Sequence, residues 1–388
     1  MSTNAAGEFG VMVAGLSEAK LRAQRSMKWG AIPPDVLPAW VAQMDFAPPA
    51  CIRAALTAQI DAGDTGYAHR AGLGEAVATW AARHHGWAIA PDRVLPVPDL
   101  DAALEAGLRA YSEPGDRVVL NPPIYSPFRE ITTRLGRRIV DVPLVDGGSR
   151  WRIDLDALEA AYRGGARLHL LCHPHNPTGA VLPREELGRI ARLADRYGVA
   201  VVADEVFAPL TYPGVRFVPY ATVAGDAVTC LSASKTWNLA GLKCGMLVCP
   251  SEEQFARLSR QTAPFGAMVG VLGVTANVVA FSDPAADVWR RDCIAYLDEN
   301  RRLLADLLGR HLPGARYRVP DATYLAWIDC APLGLPAEPA QVFLERGRVL
   351  LHDGPRFGPQ GAGWVRLNFA TTRAILAEVV GRMGQAAA

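Results

Sequence analysis

Only four lysines, Lys20, Lys28, Lys235 and Lys243, stand against 36 arginines in this chain, and two of the four lie eight residues apart in one apolar, glycine-bearing segment. Arginine supplies a permanent charge. A lysine amine can also shed its proton, attack a carbonyl and form an imine. Lys235 sits in Leu231-Ser232-Ala233-Ser234-Lys235-Thr236-Trp237-Asn238, between an apolar run and Gly241, a place that suits a desolvated nucleophilic amine. A coding bias towards arginine accounts for the scarcity of lysine but not for this placement. Such an amine is what pyridoxal 5'-phosphate (PLP) requires. The cofactor also needs a carboxylate facing its pyridine nitrogen, donors for its phosphate and a residue against its ring.

Residues of those types follow apolar runs along the chain. Asp204 ends the run 199–203 and opens Asp204-Glu205-Val206-Phe207. Alone it reads equally as a helix-capping acid, but with Lys235 about 30 residues on, the cofactor reading dominates. Asn176, in His173-Pro174-His175-Asn176-Pro177-Thr178-Gly179, marks a turn and offers an amide to the phenolic oxygen of PLP. Cys172, His173 and His175 lie close in sequence, but no fourth ligand is evident, so no metal is expected. Tyr125, in Pro122-Pro123-Ile124-Tyr125, is either a ring-covering residue or a surface aromatic. A phosphate suits the start of a helix at Leu100 and Asp101, with Ser232 and Lys243 as side-chain donors. Arg366, in Trp364-Val365-Arg366-Leu367-Asn368-Phe369, matches a substrate carboxylate through its fork, although by itself it is one arginine among many.

The elements that would position these groups are legible as short apolar runs without alternation at 117–120, 139–142, 168–172, 199–203, 227–231 and 245–249. Strands covered on both faces read this way. Helical stretches at 100–111 and 184–197, the latter between Pro183 and Gly198, separate several of them. The alternation predicts a doubly wound, mostly parallel sheet. From Pro284 a long helix runs to about His311, then strands at 324–329, 348–351 and 364–369 and a helix at 372–383. The expected division is an arm at 1–45, a large PLP-binding α/β domain at 46–280 and a small α+β domain at 281–388.

Bulk properties narrow the function. The 388 residues are half hydrophobic and a fifth charged, with net charge +1, which gives no electrostatic case for nucleic acid or an anionic membrane. No apolar run approaches the roughly 20 residues needed to cross a bilayer. Residues 1–15 lack the pattern of a secretory signal. The seven cysteines have no C-x-x-C spacing and suit a reducing compartment, so a cytoplasmic location is expected.

Taken together, these segments resemble fold-type I PLP enzymes of the class I and II aminotransferase superfamily, in the branch of cystathionine β-lyase-type C–S lyases. The resemblance covers nearly the whole chain. It rests on Lys28-Trp29, Trp40-Val41-Ala42-Gln43-Met44-Asp45-Phe46, Gly66-Tyr67, Asn176-Pro177-Thr178-Gly179, Asp204-Glu205, Ser234-Lys235-Thr236-Trp237-Asn238, Thr323-Tyr324-Leu325-Ala326-Trp327-Ile328-Asp329 and Arg366-Leu367-Asn368-Phe369-Ala370. It implies a homodimer with shared active sites, with Tyr67 reaching the phosphate held by the partner subunit. It also implies an amino-acid substrate lying against Arg366, Ala42 and Asn176. The chain departs from the branch at Gln43, where an acid is common, at Asp99-Leu100-Asp101, where small residues are usual, and at Phe207, which replaces a polar ring. With no donor at Phe207 the phenolic oxygen keeps more charge, and the imine on Lys235 is expected to hold its proton to higher pH; a spectral titration with no such rise would contradict this.

The expected activity is β-elimination from a cysteine S-conjugate, with Lys235, Asp204, Tyr125 and Tyr67 as the catalytic set. The same parts serve transamination or decarboxylation-coupled deamination. A protein that keeps PLP for a regulatory purpose is the alternative outside enzymes.

Overall fold

The computed structural model describes residues 7–148 and 150–388; the first six residues of the expected arm lie outside the described residues. A seven-stranded sheet forms the centre. Its strands in chain order are β1 (Val94–Val97), β2 (Arg117–Leu120), β3 (Arg138–Asp141), β4 (Ala166–Cys172), β5 (Ala200–Asp204), β6 (Val228–Leu231) and β7 (Gly245–Val248). In space they run β1-β7-β6-β5-β4-β2-β3. All neighbours pair in parallel except β7, which is antiparallel to both β1 and β6. The central strands are buried on both faces: β6 and β7 are buried throughout, and β4 is so from Leu168 to Cys172. That is why their sequences read as unbroken apolar runs.

Helix α1 (Leu100–Tyr111) starts at Asp99, whose Oδ1 accepts from the Ala102 amide at 3.0 Å. It lies on the sheet at Gly107, where even a Cβ would come within 3.0 Å of Val202. Helix α2 (Arg184–Tyr197) stops at Gly198, in the left-handed conformation at φ 64°. The 28-residue helix α3 (Pro284–His311) leads to a four-stranded antiparallel sheet of β8 (Arg316–Tyr317), β9 (Leu325–Asp329), β10 (His352–Asp353) and β11 (Trp364–Asn368), in the order β8-β9-β11-β10. Helix α4 (Arg373–Ala387) closes the chain. Among the described residues no single helix is long and apolar enough to cross a membrane.

The bounds of α1, α2 and α3 coincide with those expected from sequence. Two strand readings differ. Strand β1 carries Pro96 and for that reason gave no strand signal; it is an edge strand, where the missing amide is tolerated. The run 348–351 is not one strand. Val349–Leu350 pairs in parallel with Leu37–Pro38, while His352–Asp353 joins β11.

A strap of residues 40–46 lies between the two sheets. The Asn238 amide donates to the carbonyls of Met44 and Phe46 at 3.0 and 2.8 Å. From the other side, Asn368 Nδ2 donates to Val41 O and Gln43 O at 2.7 and 2.6 Å. Asp45 anchors the strap by a buried ion pair with Lys28 at 2.8 Å and a hydrogen bond from Trp29 Nε1 at 2.7 Å.

Candidate active site

The carboxyl ends of β1, β2, β4, β5 and β6 converge on one rim, and β7, running the other way, begins at the same rim. Open α/β sheets present ligand sites there. A cavity of ≈ 230 Å³ lies against this rim, between it and the strap. It brings together Ala42, Leu100, Asp101, Tyr125, Asn176, Asp204, Ser232, Lys235, Lys243 and Arg366, residues that span most of the chain. Tyr67 is not among the lining residues; it stands on the surface, 89% exposed.

Lys235 Nζ donates to the Ala42 carbonyl at 3.2 Å. Burial, reinforced by the Arg366 charge, lowers the amine from its usual 10.5 to about 8 against the opposing pull of Asp101 and Asp204. The shift increases the free-amine fraction at neutral pH by about two orders of magnitude. Asp204 terminates β5 and accepts from the Val206 amide at 3.0 Å. Burial raises its carboxyl to about 6, with Asp101 adding to the rise. A cationic ring nitrogen facing this carboxylate would reverse that shift.

Next to it, Glu205 is fully buried, accepts from the Tyr220 amide at 2.6 Å and leaves Oε2 without a partner. Burial lifts its carboxyl from 4.5 to about 8. The unfolded chain therefore loses this proton long before the folded chain does. Stability falls as pH rises through that interval and levels off above about 8. Glu205→Gln keeps an acceptor for Tyr220 and removes the titration. Its unfolding free energy, read from urea denaturation, is expected to exceed that of the parent by on the order of 2 kcal/mol near pH 8, with the gap closing towards about pH 5. A gap that does not change with pH would refute this.

The phosphate end has the expected parts in an unexpected arrangement. Asp99 caps α1 through Ala102, which leaves the amides of Leu100 and Asp101 free at the helix end. Ser232 Oγ donates to Cys244 O at 2.8 Å and accepts from the Ser234 amide at 3.0 Å. Lys243, in the left-handed conformation at φ 56°, reaches Asp99 Oδ2 at 2.9 Å. Asp99 thus takes the cation expected to serve phosphate, and Asp101 is raised by burial and by Asp99.

The guanidinium of Arg366 is buried and lies 5.0 Å from the Phe357 ring centre. It donates to Asn176 Oδ1 and to Trp40 O, both at 3.0 Å, and lies 2.6 Å from His352 Nδ1. Its Nε is buried with no partner. The Tyr324 hydroxyl donates to Ala42 O at 3.0 Å, the carbonyl that also receives Lys235. Phe207 packs edge-on against Tyr324 at 5.7 Å and offers the cavity no polar atom. His352, Trp40 and the clamping role of Asn238 and Asn368 had no signal in the sequence beyond lying in or near motif segments. Their contacts arise from register and from the path of the strap. Cys172, His173 and His175 bond to the protein instead: Asn176 N reaches Cys172 Sγ at 3.4 Å, Leu182 N reaches His173 Nε2 at 3.1 Å, and His175 Nε2 lies 3.1 Å from Asn121 O.

The donor set fits PLP. An amine with a lowered pKa, a buried carboxylate at a strand end, an amide, an aromatic ring and a free helix N-terminus share one cavity.

Residues 41–383 match the model of the family described as aminotransferase class I and II. A putative cystathionine β-lyase of Mycobacterium tuberculosis is 42% identical, over 94% of this chain and 96% of that protein. A cystathionine β-lyase of Bacillus subtilis is 35% identical, over 90% and 92%. Among solved structures, a putative PLP-dependent β-cystathionase of Corynebacterium diphtheriae superposes with a TM-score of 0.90 at 31% identity, covering 96% of this chain and 98% of its own.

Proposed function

The chain belongs to the class I and II aminotransferase family, and from that premise we propose that it eliminates the sulfur substituent of a cysteine S-conjugate, giving a thiol, pyruvate and ammonia. It is a PLP-dependent enzyme of the cystathionine β-lyase type. Lys235 would carry the cofactor, Asp204 would face its pyridine nitrogen, Asn176 its phenolic oxygen and Tyr125 its ring. Ser232 and the amides of Leu100 and Asp101 would hold its phosphate, with Lys243 joining them only on release from Asp99. When bound, PLP supplies an electrophilic carbon for amines and a cationic ring that draws electrons from the substrate Cα.

The chain's own residues supply the rest. Arg366 receives the α-carboxylate and orients Cα–H towards Lys235. The free amine of Lys235 removes that proton, since its lowered pKa lets it act as a base near neutrality. As the electron pair forms the Cα–Cβ double bond, the Cβ–S bond breaks and the thiolate leaves; the remaining three-carbon fragment hydrolyses to pyruvate and ammonia.

One observation carries the choice of substrate. The wall around Lys235 and Arg366 is apolar at Val41, Val206 and Phe207, and the other lysine in the cavity, Lys243, is tied to Asp99. Among the described residues that line the cavity, none offers a free second cation for a distal carboxylate, which favours an uncharged sulfur substituent over cystathionine itself. The test is to supply small uncharged S-alkyl cysteines and cystathionine to the PLP-loaded protein and measure thiol, pyruvate and amino transfer. Stoichiometric thiol and pyruvate from the S-alkyl cysteines supports the reading; turnover that requires a keto acid and releases no thiol ends it. The same reading includes a cytoplasmic homodimer in which Tyr67 serves the neighbouring site, and sedimentation at the monomer mass would reject the dimer.

A further inference from the structure

His352 stands directly opposite Arg366 in the register of β10 and β11, so their side chains share one face of the small sheet. A guanidinium has five N–H groups and no acceptor. Here Nη1 donates to Asn176, and Nη2 donates both to Trp40 O and to His352 Nδ1, at 2.6 Å. Because arginine only donates, Nδ1 is the accepting nitrogen, and the ring proton sits on Nε2. Burial and the charges of Arg366 and Arg356 hold the imidazole down to about 2, so it remains a neutral acceptor.

A carboxylate grips a guanidinium through two parallel N–H groups along one edge. One such edge joins Nη1 and Nη2; the other joins Nε and Nη2. Both need an N–H of Nη2, and both of its N–H groups are engaged. Nε, the companion donor on the second edge, is buried and unpartnered. Trp40 O belongs to the first residue of the strap that Asn368 pins through Val41 O and Gln43 O. His352 is a side chain lining the cavity, so displacing it calls for a change of rotamer and no movement of backbone.

We propose that His352 is a resident competitor for the substrate carboxylate, holding one arm of the Arg366 fork until an ionised carboxylate displaces it. This rests on the reading that Arg366 receives the α-carboxylate. The competitor acts as a specificity filter. A carboxylate brings two charged acceptors and replaces what it removes, whereas a ligand with one neutral acceptor exchanges one hydrogen bond for another and gains nothing.

The probe is 3-(methylthio)propanoate, a carboxylate with a thioether and no amine, titrated calorimetrically into the PLP-loaded protein. His352→Ala is expected to lower its Kd about tenfold, the size of one charge-assisted hydrogen bond. His352→Gln, which keeps an acceptor, is expected to bind as the parent does. A residue that merely braced Arg366 would shift binding the other way. His352→Ser is the second small variant should the alanine form fail to fold. An unchanged or raised Kd in the folded small variants, or no binding to parent and variants alike, overturns the proposal. Arg366→Met separates the two layers: if it leaves the parent Kd intact, the carboxylate binds elsewhere and the reading of Arg366 itself fails.

Discussion

Lys235→Ala is expected to lower turnover at least about 10³-fold and to leave borohydride with nothing to fix at position 235. In the proposed mechanism two tasks fall on one atom, the covalent hold on the cofactor and the removal of the Cα proton. Added free amine can recover only part of the second. The structure gives the physical basis. Nζ sits in a buried cavity beside a buried guanidinium, and its pKa falls to about 8. Lys235→Arg retains a positive charge but cannot give up its proton, so it is expected to be as inactive as the alanine form. If arginine restores activity, the role of Lys235 is electrostatic and the mechanism above is wrong. The mass of the reduced chain reports the covalent link separately from catalysis.

Arg366→Lys is expected to reduce kcat/KM by roughly 10²–10³-fold, or about 3–4 kcal/mol, with most of the loss in KM. An ammonium keeps the charge but not the fork. It also cannot reach Asn176, Trp40 and His352 together, three acceptors that the guanidinium now satisfies. Part of any loss could therefore arise from a disturbed pocket. Comparing substrates resolves this. A cysteamine S-conjugate, which lacks the carboxylate, should react equally poorly with parent and variant, while the cysteine conjugate should separate them. Equal losses on both substrates would mean that Arg366 shapes the cavity and does not select the ligand.

Much of this site was readable from the chain because strand ends announce themselves. Asp204 and Ser232 follow apolar runs directly, and Asn176 and Tyr125 come within a few residues of theirs, so a parallel sheet brings them to one rim whatever the loop details. Helices α1, α2 and α3 were legible through Asp99, Pro183, Gly198 and Pro284, whose backbone preferences set the ends. His352 was not legible, because its importance comes from facing Arg366 across two strands whose register no local pattern encodes. Strand β1 was hidden by Pro96, whose cost disappears only at a sheet edge. The capture of Lys243 by Asp99 was missed for another reason: the two are far apart in sequence, and their meeting depends on the left-handed turn at Lys243. The departure at Phe207 was visible as a residue type, but its edge-on contact with Tyr324 depends on how the small sheet docks.

The Ala42 carbonyl receives two donors, the amine of Lys235 and the hydroxyl of Tyr324. An oxygen with two lone pairs tolerates losing one guest while the other stays. If Lys235 carries the cofactor as proposed and leaves this carbonyl, Tyr324 alone would still quench the oxygen, and no bare dipole would be left in the interior to drag the surrounding backbone out of place. Arming the nucleophile would thereby be uncoupled from the integrity of the wall behind it, which keeps a donor whether or not the amine is engaged elsewhere.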